Sequence, residues 1–205
     1  MPAMMMRNAM WRRSTGVPRL LACLALIGLS GCWTGGPFFA ATDAVPAIAA
    51  GTYDATATSF KKGPPEKGTL KIVIRPDGMT ALVDGDPNAP QDPAFVMGFA
   101  PMKGKAAVHI LWITRWDKQD LSGARNAYGI LTRSGDGTFK IILPICKDSG
   151  QALATANGAQ IDTGTPEERI TRCRFASRES LTAALKAFAA SPPADMPTII
   201  LHRRR

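Results

Sequence analysis

This 205-residue sequence is poor in histidine, the base that most often activates serine and cysteine nucleophiles. It contains two histidines, His109 and His202, and each lies in a run of residues typical of a β-strand. A lone strand histidine is more often a partnered structural residue than a general base, and nucleophilic sites need a base beside the nucleophile. We therefore predict that the protein is not an enzyme. We expect no catalytic residues, no metal site and no cofactor.

Two short segments resemble sites that bind calcium or cleave peptides. Asp84, Asp86 and Asn88 have the opening spacing of a calcium-binding loop, but Ala89 stands where that loop requires glycine. Asp162-Thr163-Gly164 is similar to the aspartic-protease tripeptide, yet no apolar strand precedes it. We interpret the first as a solvated turn and the second as accidental.

Residues 1–31 are typical of a secretory signal peptide. Four arginines precede the ten-residue apolar run Leu20–Leu29, and residues 1–31 contain no acidic residue. A helix that spans a bilayer needs ~20 apolar residues, so this run is too short for a permanent membrane span. The chain is therefore expected to be exported from the cytoplasm.

Leu29-Ser30-Gly31-Cys32, at the end of that run, resembles the lipobox of bacterial lipoproteins. The resemblance implies cleavage after Gly31 and a diacylglycerol, commonly with palmitate chains, joined to the Cys32 thiol. Two acyl chains hold a protein stably at a membrane, so the expected partner is a membrane, reached through this anchor. Trp33 after the cysteine implies the outer membrane, with the domain facing the periplasm. An ordinary signal peptide in which Cys32 is incidental is the alternative.

The remainder divides into a tether and a single domain. Residues 32–50 carry Gly, Pro and Ala without a clear periodicity, which predicts a flexible tether behind the lipidated cysteine. Residues 51–205 contain strand and turn signals, such as the Pro76-Asp77-Gly78 turn between two alternating runs. A helix is predicted at about 178–190, with Ser177 as its N-cap.

The predicted fold class follows from these elements. We expect an α+β domain with an antiparallel β-sheet of about five to seven strands, arranged as a meander that could close into a barrel. One C-terminal amphipathic helix packs on it, and a final strand follows.

Cys146 and Cys173 are the cysteines that remain once Cys23 is removed with the signal and Cys32 carries lipid. An even pair in an exported domain implies a disulfide. It would close a loop that is polar and poor in large apolar residues, and that cannot hold itself in place by burial. A reactive or metal-binding pair is the alternative, although neither cysteine has a histidine nearby.

Ser122-Gly123-Ala124-Arg125 is similar to part of a motif in membrane-bound lysozyme-inhibitor lipoproteins. The resemblance implies a binding loop of Ser122, Gly123, Arg125 and Tyr128 that enters the lysozyme cleft. Asn126 follows Arg125 where the motif has an aromatic residue. The alternative interpretation is an ordinary loop.

The charge distribution argues against nucleic acid as a partner. The formal net charge is +9, but loss of the signal leaves 21 basic residues against 16 acidic ones, and three of the 21 are the terminal arginines. No concentrated basic face is left. The terminal arginines could be solvated or could contact anionic lipid.

The function expected from these features is that of a membrane-anchored lipoprotein of the bacterial cell envelope, a non-enzymatic binding or structural module. An unknown envelope protein is a further candidate partner. One alternative is an inhibitor of a cell-wall hydrolase that acts through the loop Ser122–Arg125. Another is an envelope hydrolase, which would need two facing carboxylates among Asp117, Asp120 and Asp136.

Overall fold

A computed structural model describes residues 32–58, 64–85, 93, 95–116, 119–120, 126–163, 171–194 and 196–204. The predicted signal peptide, residues 1–31, lies outside the described residues. Most of the described chain is β-strand. Its twelve strands are β1 (Trp33–Gly35), β2 (Gly51–Thr58), β3 (Glu66–Ile74), β4 (Thr80–Asp84), β5 (Phe95–Pro101), β6 (Val108–Trp116), β7 (Gln119–Asp120), β8 (Asn126–Arg133), β9 (Phe139–Ile142), β10 (Gln160–Asp162), β11 (Arg172–Phe175) and β12 (Thr198–Arg203).

Eight of these strands form a closed antiparallel barrel. From β2 to β6 each strand pairs with the next, β6 pairs with β8, and β8 pairs with β9. The last strand, β12, pairs with β9 on one side and with β2 on the other, which closes the ring. The predicted fold, an α+β sheet of five to seven strands with one helix, is therefore wrong. Pairings between strands that are far apart in the sequence add strands to the sheet and close it, so the barrel has no free edge.

The barrel is filled by side chains, most of them from its own strands. Strand residues alternate between the interior and the outer surface, so Leu111 and Ile113 lie inside while Trp112 lies outside. The buried side chains of the interior form the inner core, and eight of them leave a cavity of about 10 Å³. A cavity of that size holds at most one water molecule. The barrel interior thus has no room for a ligand.

A second layer covers one side of the barrel. It contains β1, β10 and β11, with β1 parallel to β11, and two helices, α1 (Asp148–Ala156) and α2 (Arg178–Ala190). Ser177 caps α2, because its Oγ accepts a hydrogen bond from the Ser180 N–H at 3.2 Å. Leu181, Leu185 and Phe188 are buried on one face of the helix and form part of the outer core. The predicted C-terminal helix is confirmed.

The disulfide between Cys146 and Cys173 is confirmed as well. The two Cα atoms are 5.1 Å apart and both cysteines are buried. The bond joins the segment before α1 to β11. The segment between the cysteines, predicted to be a polar loop, carries the helix α1.

The segment after Cys32 differs from the expected flexible tether. Trp33 is fully buried, with its ring 5.3 Å from Phe175 and 5.5 Å from Phe188. Residues 36–50, which we call the strap, run over the outer surface of the barrel and across one of its ends. The strap buries Phe39 on the outside and Ile48 in the inner core. The buried side chains of Trp33, Phe39 and Ile48 hold this segment to the domain.

Candidate functional site

Two cavities on the described part of the barrel are large enough for a ligand. The first, which we call the strap cleft, measures about 610 Å³ and lies between the strap and the outer surface of the barrel. The second, the barrel mouth, measures about 990 Å³ and lies at the end that the strap crosses. Ligand pockets usually have volumes of ~300–1,000 Å³.

Trp112 forms the aromatic floor of the strap cleft. Its indole lies flat against Gly98 on the neighbouring strand, where a Cβ atom would overlap the ring. Phe39 stacks on the indole, with the ring centroids 5.1 Å apart and the planes 18° from parallel. The Arg178 guanidinium covers Phe39 at 4.2 Å and lies 3.6 Å from a carboxylate oxygen of Asp43. These contacts hold the Trp112 indole in position.

Two buried polar atoms among the residues that line the cleft have no hydrogen-bond partner in the described structure. Trp112 Nε1 is a donor and Asn126 Oδ1 is an acceptor, and the two residues are 0% and 1% exposed. Buried polar groups are nearly always paired, so such an exception requires an explanation. Trp33 Nε1 is also unpartnered but does not line the cleft, so an unpaired indole alone does not define a site.

A β-bulge shapes one wall of the cleft. Val96 pairs with Arg115 and Met97 pairs with Ile113, so Thr114 is an extra residue in β6. The bulge places Arg115 on the same outer face as Val96, beside the cleft. The Thr114 hydroxyl donates a hydrogen bond to the Val96 carbonyl at 3.3 Å.

The turn between β3 and β4 supplies the opposite wall. An Arg75 Nη2 atom lies 3.0 Å from Asp77 Oδ2, and the Met79 N–H donates a hydrogen bond to Asp77 at 3.0 Å. Burial alone would raise the pKa of Asp77, but the bonds from Arg75 and Met79 outweigh it and lower that pKa. The carboxylate therefore stays ionised at neutral pH.

Three arginines are among the residues that line the barrel mouth. Arg133 and Arg203 come from the ends of β8 and β12, and His202 and Arg204 lie beside them. Ile48 of the strap closes the barrel beneath them. Burial raises the pKa of the Tyr53 phenol, and the positive charges of Arg203 and Arg133 oppose that shift. Arg203 pairs with Tyr53 across β12 and β2.

Of the predicted binding loop, the structure describes Tyr128 alone. Ser122, Gly123 and Arg125 lie outside the described residues. Tyr128 is fully buried; its hydroxyl donates to the Gly36 carbonyl and accepts from the Phe38 N–H at 3.2 Å. Burial raises the pKa of that phenol. Tyr128 therefore ties the strap to the barrel and does not present its ring at the surface.

Cys32 is 2% exposed and belongs to the inner core. Burial raises the pKa of its thiol to about 12, against the opposing charge of Arg172. The buried thiol is therefore protonated and shielded from solvent. Its predicted lipidation would require a different position of this side chain.

The remaining candidates are histidine and acidic side chains, of which the structure describes only some. His109 is partly buried on β6, and burial lowers its pKa. Asp136 lies in the turn after β8, whereas Asp117 is outside the described residues. Asp86 and Asn88 are also outside them. Within the described ranges, no group of three or more His, Cys, Asp or Glu residues is placed to hold a metal ion.

Comparisons with known proteins give no relative. No protein-family model, curated protein or solved structure matches the chain.

Among the described helices, none has the length and apolar content needed to cross a bilayer.

Sequence reasoning did not find the strap cleft. It placed Trp112 on one face of its strand, but nothing local connects it with Phe39 or Asn126. Gly98, in the middle of an apolar strand, was an available signal, because strand glycines often mark the close approach of another group.

Proposed function

We propose that this chain is an exported, lipid-anchored protein of the bacterial cell envelope that acts as a non-enzymatic binding module. The strap cleft is its binding site. The observation that carries the proposal is the buried, unpartnered pair of Trp112 Nε1 and Asn126 Oδ1 in the cleft lining.

The chemistry of this pair defines the kind of ligand. An amide group has a carbonyl oxygen that accepts a hydrogen bond from the indole and an N–H that donates one to Asn126. The Phe39 and Met79 side chains beside them provide apolar contact. Both polar atoms are covered in the free protein, so the strap shifts when the ligand binds. Envelope ligands rich in amides, such as cell-wall fragments, fit this description.

The test is a titration with soluble peptidoglycan fragments, using the full-length protein in a nonionic detergent. Tryptophan fluorescence and the thermal unfolding midpoint report binding. We expect saturable binding that Trp112→Phe weakens at least tenfold.

Trp33→Phe is the matched control, because Trp33 is equally buried and its indole nitrogen is equally unpartnered. It should leave the affinity unchanged. The proposal is abandoned if the fragments do not bind, or if both variants lose affinity to the same extent.

A second candidate is inhibition of a cell-wall hydrolase by the loop Ser122–Arg125. What favours it is position, because the loop ends directly before Asn126, which lines the strap cleft. Lysozyme assays on cell walls with the wild type, Arg125→Ala and the control Arg174→Ala test this idea. An inactive wild-type protein excludes it.

A further inference from the structure

Two arginines point toward the same end of the barrel. Arg133 follows the interior residue Leu131 by two positions on β8, and Arg203 follows Leu201 by two positions on β12. Alternate strand residues share a face, so both side chains belong to the inward row and extend it into the barrel mouth. Both line the cavity of about 990 Å³.

These two guanidiniums have no carboxylate partner among the described residues. Arg133 lies over the Phe139 ring at 5.7 Å, and an Arg203 nitrogen donates a hydrogen bond to the Ala50 carbonyl at 3.2 Å. Arg204, in contrast, makes two contacts of 2.6 Å with a carboxylate oxygen of Asp54. The charge of Arg204 is therefore compensated, while the charges of Arg133 and Arg203 are not.

One acidic side chain also lines the described part of the mouth. Asp136 accepts a hydrogen bond from the Thr138 N–H at 2.9 Å, which lowers the pKa of its carboxyl group and keeps it ionised. Asp136 offsets one of the two free positive charges. The Nδ1 atom of His202 lies 3.2 Å from the Thr138 hydroxyl. The mouth remains cationic.

We propose that the barrel mouth binds a phosphate group between Arg133 and Arg203. A single planar guanidinium satisfies a carboxylate in a bidentate pair, whereas a phosphate has additional oxygens and can accept from two guanidiniums at once. The adjoining apolar wall of Ile74 and Phe139 accommodates the carbon part of a phosphate ester. This site is separate from the strap cleft and goes beyond the binding function proposed for it.

The experiment is a titration of the full-length protein with inorganic phosphate at constant ionic strength, observed through the Nε–H NMR signals of the two arginines. We expect saturable shifts of both signals. Arg133→Gln and Arg203→Gln should each raise the apparent Kd at least tenfold. Arg133→Lys keeps the charge but loses the planar fork, so its loss should be smaller.

Arg174→Gln is the control, because Arg174 is an exposed arginine on β11 outside the mouth. It should bind phosphate like the wild type. Absence of saturable shifts overturns the proposal, and so does an equal loss in Arg174→Gln. Unchanged circular dichroism and thermal midpoints show that the variants are folded.

The same titration distinguishes two sources of phosphate. Glycerol 3-phosphate represents a soluble ester, and short-chain phosphatidylglycerol in the same detergent represents a lipid headgroup. Tighter binding of the lipid, lost in Arg203→Gln, assigns the mouth to the membrane surface. Equal or tighter binding of glycerol 3-phosphate assigns it to a soluble phosphate ester.

Discussion

At the scale of single residues, the strap cleft depends on a glycine, Gly98. Gly98 leaves the space in which the Trp112 indole lies, and the indole in turn supports Phe39 and the strap. We predict that Gly98→Ala destabilises the protein by about 1–3 kcal/mol, because the added methyl group overpacks a filled site. Urea denaturation measures this loss.

Gly135→Ala is the control for that substitution. Gly135 lies in a turn, and a Cβ atom there would meet no atom within 4 Å. Its unfolding free energy should stay within ~0.5 kcal/mol of the wild type. Equal values for both variants would show that Trp112 does not occupy the space beside Gly98.

The raised pKa of the Cys32 thiol predicts that the stability of the fold depends on pH. In the unfolded chain the thiol ionises near pH 9, whereas in the folded chain its pKa is about 12. A group whose pKa is raised by folding stabilises the fold fully below the unfolded pKa, so this contribution is lost between about pH 9 and 12. At pH 8 we expect iodoacetamide to leave the folded, unlipidated thiol unmodified and to alkylate it in urea. Rapid alkylation without urea would contradict its burial.

At the scale of elements, the strap is held by Ile48 in the inner core. We predict that Ile48→Ala costs about 2–5 kcal/mol and increases amide exchange in residues 36–50, because the fully buried side chain leaves a cavity. Hydrogen exchange detected by mass spectrometry tests this. Val73→Ala, at a residue 36% exposed, is the control and should change little. An unaffected Ile48→Ala variant would support a free tether.

The disulfide holds α1 and β10 against the rest of the outer layer. Its cysteines are 27 positions apart, and the loop-entropy estimate for that length is about 3–4 kcal/mol. We predict that Cys146→Ser lowers the unfolding free energy by about that amount and exposes residues 147–172 to proteolysis. A reducing agent should produce the same digestion in the wild type. Identical digestion of the oxidised wild type and the variant would refute the role of the bond.

Local signals predicted some elements and missed others for physical reasons. The helix at 178–190 and the cysteine pair were predictable, because a cap, an apolar stripe and an even cysteine count are short-range features. Helix α1 was missed since it buries only Gly150 and Ala154 and shows no large apolar stripe. The strap was missed because its anchors, Phe39 and Ile48, follow no periodic pattern, and its contacts lie far along the chain.

At the scale of the whole molecule, barrel closure decides where a ligand can bind. The pairing of β12 with β2 joins residues about 140 positions apart, such as Thr198 and Thr58, and no local pattern specifies it. The same closure fills the interior, so both candidate sites lie outside the inner core. Trp112, Asn126 and Phe39 meet only because the barrel and the strap bring three distant segments together.

Cys32 cannot carry the predicted lipid and occupy its position in the inner core at the same time. The inner core retains a cavity of about 10 Å³, which cannot contain even one acyl chain. Each acyl CH₂ contributes ~0.8 kcal/mol to membrane binding, so two chains outweigh the burial of one cysteine side chain many times over. Lipidation would therefore draw residue 32 out of the core, while the buried Trp33 keeps the domain close to the membrane.

Intact-mass spectrometry of protein purified from its native host tests this prediction. We expect a chain that begins at residue 32 and carries a diacylglycerol, with faster amide exchange at β1 than in the Cys32→Ala variant, which cannot be lipidated. A chain that is cleaved but carries no lipid would make Cys32 a core residue behind an ordinary signal peptide. A full-length, unmodified chain in the cytosol would remove the basis for an envelope function, while the phosphate titration of the barrel mouth would stand on its own result.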